Sequence, residues 1–151
     1  MRIYLPLMDA DRKNLLAASR GLPLDAGRRA WALTDVARAD RADEDAEDLE
    51  YDALQDAVFA ALARDPGGDP LRRALVIAGD VPDGDLVESS EDGGAYGVVT
   101  RTATTVRIAA LHVTELGARA IDEDDTDPAL LWFDASEGPA ALDYCAEVSS
   151  R

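Results

Sequence analysis

Asp9, Asp35 and Asp80 each stand just after a short apolar segment, at residues 2–7, 29–34 and 73–78. If those segments are parallel strands of one sheet, their C-terminal ends share an edge, which is where open α/β sheets place ligands. Three carboxylates converging there would suit Mg²⁺ or Ca²⁺, because hard cations take oxygen ligands and offset the repulsion between neighbouring carboxylates. His112, the one histidine, would then be a possible base for metal-assisted hydrolysis. A plainer account fits the same residues: Asp caps helices and opens turns without any ligand.

A second chemistry is offered by charge alone. Residues 40–52 hold eight carboxylates against Arg41. Within them Glu44, Asp45, Glu47 and Asp48 form a candidate contact for a basic protein surface, and a special case is mimicry of a nucleic-acid backbone to occupy a DNA-binding protein. Alternatively the run is the acidic N-terminus of a helix with a solvated loop before it. Residues 122–127 are equally acidic but lack the glycine and distal Glu of an EF-hand loop. Gly67-Gly68 and Gly93-Gly94 match neither a phosphate loop nor a dinucleotide fingerprint and read as turns. Cys145 has no base near it in sequence and reads as a partly buried structural thiol. No residue is assigned a cofactor-binding role, and none a catalytic role outside the metal reading.

The charge balance narrows the partners. Fifteen basic residues face thirty-one acidic ones, a formal net charge of −16, which disfavours nucleic acid and anionic membranes and keeps the chain in solution. All the basic residues but Lys13 are Arg, and Ala, Asp and Gly abound, a pattern of high-GC codon usage. Arginines flanking the strands, Arg2, Arg28, Arg29, Arg72 and Arg73, would under parallel pairing collect at the edge opposite the aspartates. The N-terminal residues do not form a signal peptide and no apolar stretch is long enough to span a bilayer, so a cytoplasmic address is expected.

Positioning these groups requires the following elements. Residues 2–7 read as a strand, 9–20 as a helix stopped by Gly21-Leu22-Pro23, and 29–34 as a second strand. Residues 35–45 are polar. Leu49, Leu54, Val58, Ala61 and Leu62 mark one face of a long helix closing at Asp65-Pro66-Gly67-Gly68. The apolar run at 73–78 is a strand buried on both faces. A loop follows with a short strand at Leu86-Val87, and then strands at 96–105 and 106–113, which a break near Ala103-Thr104 would make a pair. Residues 116–121 suggest a short helix, 130–133 a strand, 139–146 a weak helix, and the end frays from Val148. Trp31 and Trp132 both read as core, from their apolar neighbours. The expectation is a single domain over 1–151, of α/β or α+β class. Its mixed, partly parallel sheet runs in β-α-β-α-β-β-β-(α)-β order, with helices packed on it.

The opening Met1-Arg2-Ile3-Tyr4-Leu5-Pro6-Leu7, Leu49-Glu50-Tyr51, Ala78-Gly79-Asp80-Val81-Pro82, Ala110-Leu111-His112-Val113 and Leu130-Leu131-Trp132 together resemble a family of short acidic actinobacterial proteins, a domain of unknown function. The resemblance spans nearly the whole chain and implies a bacterial cytosolic domain; it implies no catalytic residue. Two functions stand side by side: a non-catalytic, acidic protein-binding or regulatory module, and a small divalent-metal-assisted enzyme.

Overall fold

The computed structural model describes residues 1–64 and 67–147. The expected fraying from Val148 lies outside the described residues, as do Asp65 and Pro66 of the expected helix stop. Among the described residues eight strands form one sheet: β1 (Arg2–Pro6), β2 (Gly21–Leu24), β3 (Arg29–Ala32), β4 (Leu75–Asp80), β5 (Leu86–Glu88), β6 (Gly97–Thr100), β7 (Thr104–Thr114) and β8 (Leu130–Phe133). The helices are α1 (Arg12–Leu16), α2 (Asp35–Asp40), α3 (Ala46–Ala63), α4 (Ser90–Gly93), α5 (Ala118–Glu123) and α6 (Gly138–Ala146).

The sheet order is β2-β7-β4-β1-β3-β6-β5, with β8 beside β7, and every pairing is antiparallel. The expected partly parallel sheet is therefore incorrect. The crossover from β3 through α3 to β4 exists, and those two strands do run the same way. They are not neighbours, because β1 lies between them and opposes both, with Ile3 facing Ala32 on one side and Gly79 on the other. Helical and strand periodicities are local, so they cannot show a third strand entering between two consecutive ones.

A second correction explains the shape of the sheet. Strands β6 and β7 do not pair; they stand four places apart, which in a flat sheet is about 19 Å. Thr100 to Thr104 is four residue steps, at most about 14 Å of chain. The sheet must therefore curl, and it forms a half-barrel. Hydrogen bonds close the short side: Arg101 N–H donates to the Asp85 carbonyl at 2.8 Å and Thr104 Oγ1 to the Asp85 carboxylate at 2.8 Å.

Strand alternation sends side chains to two cores. Ile3, Leu5, Leu75, Ile77, Leu111 and Val113 point into the concave side, which Leu15 of α1 and Ala141 and Leu142 of α6 cover. Tyr4, Trp31, Val76 and Ala78 point outward beneath α3. The buried stripe Leu49, Ala53, Leu54, Ala57, Val58 makes α3 amphipathic at helical spacing. Strand β4 is buried on both faces, as the apolar run at 73–78 predicts.

Smaller departures have local causes. Helix α1 is one turn long because Ala18 adopts φ +54° and Gly21-Leu22-Pro23, expected as a stop, instead enters the sheet as β2. Pro23 is tolerated there because β2 has a single partner, β7. The polar stretch at 35–45 contains α2, held by the Thr34 hydroxyl, which accepts from Ala37 N–H at 3.1 Å, and by the Glu88 carboxylate, which accepts from the Asp35 and Val36 amides.

Candidate functional site

Antiparallel pairing scatters the three aspartates. Asp80 faces Arg2 at one end of β1, whereas Asp9 follows Pro6 at the other, and about 13 Å of strand separates those ends. Asp9 is wholly exposed beside Arg12. The Asp80 carboxylate is occupied by the Arg2 guanidinium at 2.9 and 3.2 Å, which holds its pKa below the ordinary carboxylate value. Asp35 opens α2 on the Asp80 side. Among the described residues no three His, Cys, Asp or Glu side chains gather where they would hold a metal ion. The expected arginine edge is altered in the same way: Arg2 sits at the Asp80 end, and Arg28, Arg29, Arg72 and Arg73 lead into β3 and β4 at the other.

His112 lies on the outer face of β7, half-buried, opposite Trp132. Burial first, and the nearby Arg2 charge second, depress its pKa. Between that depressed value and the ordinary 6.5 the unfolded chain binds more proton than the folded one. Stability from this group is therefore complete above about pH 6.5 and declines as the pH falls through the window. We expect urea midpoints measured at pH 7.5 and pH 5.5 to separate less in His112→Gln than in the wild type; equal separation would remove His112 from the pH response.

Cys145 is partly buried in α6, with Sγ 3.6 Å from the Arg73 carbonyl, and burial raises its pKa. That environment suits a structural thiol. Arg73 stacks on the Tyr144 ring at 3.9 Å and donates to the Tyr144 and Glu147 carbonyls, tying the end of α6 to the start of β4.

The acidic residues form the most extended feature. Glu44, Asp45, Glu47 and Asp48 are all exposed around the first turn of α3, and Arg41 bridges to Glu44 and Asp52. One turn further along α3, Tyr51 is 44% exposed. Its hydroxyl pKa is raised, by desolvation first and then by the charge of nearby Asp127. Tyr51 thereby joins two acidic segments, 40–52 and 122–127, that lie some seventy residues apart in the chain. Neither periodicity nor composition signals that contact.

Trp132 lies on the same side of the sheet as α3. The sequence expects it in the core, and Trp31 is indeed buried at 7% exposure, but Trp132 is 60% exposed. Strand β8 has β7 on one side only, and the side chain paired with His112 falls beyond the cover of α3. Gln55, also on α3, is buried, and neither amide atom makes a hydrogen bond of normal geometry although the Tyr51 hydroxyl is nearby. Because an unpaired buried amide costs about 1–3 kcal/mol, Gln55→Met is expected to raise the unfolding free energy by roughly 1 kcal/mol in urea titration. A loss instead would mean the amide has a partner in solution.

A family model described as a family of unknown function (DUF6912) matches residues 1–142. The chain belongs to that family. No curated protein and no solved structure matches it. The DUF6912 assignment covers every strand and most of α6, so the acidic face and the half-barrel both lie within the matched region. The family indicates no specific function. Among the described residues no helix is long and apolar enough to cross a membrane.

Proposed function

We propose that this DUF6912 protein is a non-catalytic module that binds a basic surface on another protein through the acidic face around Glu44, Asp45, Glu47 and Asp48. The observation that carries the reading is the cluster of exposed carboxylates at Glu44, Asp45, Glu47 and Asp48 beside the half-exposed ring of Tyr51, with Asp127 of the segment 122–127 near enough to act on its hydroxyl. Charge gives such a face long-range steering and discrimination, while aromatic side chains supply affinity once solvent is excluded. Trp132, exposed on the same side of the sheet as α3, supports the second contribution. The abundance of Arg, Ala, Asp and Gly supports a high-GC source, and an actinobacterial origin with a cytoplasmic setting is what the resemblance carried by the opening Met1–Leu7 segment implies.

The test is crosslinked capture from native cells with the wild type, with Glu44, Asp45, Glu47 and Asp48 all changed to Lys, and with Trp132→Ala. A basic partner that is released by salt and lost from the charge-reversed protein is the expected result. Every recovered partner remaining bound after reversal would overturn the assignment.

A further inference from the structure

A cavity of about 380 Å³ opens at the Pro6 end of the sheet, where the turn between β2 and β3 meets the C-terminal end of α3. Arg28, Arg29 and Arg64 all line it, in a chain where acidic residues outnumber basic ones two to one. Its size falls within the range of small-molecule sites, roughly 300–1,000 Å³. We propose that this cavity binds a small phosphate monoester, with Arg29 and Arg64 as the groups that engage the phosphate.

The arginines divide into two roles. Arg28 is nearly buried, and its fork is committed to Asp11, at 3.1 and 2.7 Å, and to the Pro6 carbonyl at 3.1 Å. Asp11 is fully engaged in return, since it also accepts from the Met8 amide at 2.9 Å. The pair is neutral and serves as the floor. Arg64 donates to the Leu7 carbonyl at 3.1 Å, and among the described residues no carboxylate forms an ion pair with it. Arg29 holds Asp92 at 3.2 Å in an exposed pair that water already screens, so exchanging that carboxylate for a phosphate costs little.

Desolvation first, and then repulsion from Arg28 that Asp11 partly offsets, loosen the proton on Arg64, and Arg29 adds a smaller repulsion; a bound anion acts in the opposite sense to the repulsion. A dianion with three equivalent oxygens can meet two planar forks at once, which a single carboxylate does less well. Beside the arginines, Met8, Ala10 and Pro23 give the wall an apolar part for the organic portion of a monoester. Asp25, exposed on the lining, opposes the anion.

Titration of the full chain with phenyl phosphate and with inorganic phosphate, followed by calorimetry and by backbone amide shifts, tests the assignment. The expected result is saturable binding with shifts centred on Gly27–Arg29 and tighter binding of the monoester. Arg64→Gln and Arg29→Gln should each weaken it by roughly tenfold, Asp25→Asn should tighten it, and Arg38→Gln, on α2 at the opposite end of the sheet, should leave it unchanged. Thermal melts of each variant report that it is folded. Absence of saturation, equal weakening by Arg38→Gln, or no preference for the monoester would overturn the proposal.

Discussion

Asp11→Ala is expected to destabilise the protein by about 3–5 kcal/mol, because it strands the Arg28 guanidinium in a site from which water is largely excluded. The fork loses both charged acceptors and keeps the Pro6 carbonyl alone, and Arg28 Nε, buried without a partner, already carries a cost. The Met8 amide loses its acceptor as well. Removing both charges is a different matter: Asp11→Ala with Arg28→Met should recover a large part of the loss, since the expensive species is the lone buried ion. Urea unfolding of the two single variants and the double variant measures the coupling. If the double variant is as unstable as the sum of the singles, the pair is not acting as a unit.

Gly138→Ala should be at least as damaging, costing more than about 4 kcal/mol, the range reserved for core overpacking and similar faults. A β-carbon on Gly138 would lie 2.0 Å from the Leu15 carbonyl oxygen and 2.8 Å from its carbon. Both are backbone atoms and cannot swing aside, so α6 must move off α1. The concave core loses its cover at Leu15, Ala141 and Leu142 together. Loss of the cooperative melt, or a sharply lower midpoint, is the expected reading by circular dichroism; a midpoint within a degree or two of the wild type would mean α1 and α6 are not so closely apposed.

Much of the secondary structure is legible in the residues. The stripe from Leu49 to Leu62 predicts α3, the run at 73–78 predicts a doubly buried β4, and Leu86-Val87 predicts β5. These signals are local periodicities and survive any topology. Strand direction does not, because β1 separates two strands that the chain makes in succession, and the carboxylate convergence built on parallel pairing disappears with it. Trp132 misleads for a related reason. Its apolar neighbours Leu130, Leu131 and Phe133 mark a strand but not whether that strand lies inside or at the rim of the sheet. The groups that matter most to the two proposed sites, Tyr51 beside Asp127 and Arg64 beside Arg28 and Arg29, meet through the fold and share no motif.

The position of β2 has a consequence for synthesis. Among the described residues its only pairing partner is β7, with Gly21 opposite Arg107 and Leu24 opposite Thr104. At translation rates of about 5–20 residues per second, a ribosome takes on the order of 4–16 s to travel from one to the other. During that interval Leu22 and Leu24 have no sheet to join, and β1 has β3 but lacks β4 for most of it. A nascent chain stalled before residue 104 can pair β4-β1-β3-β6-β5 beneath α3 but leaves β2 and the β7-facing edge of β4 without a partner, which offers apolar strand edges to chaperones or proteases and ties closure of the concave core to completion of β7.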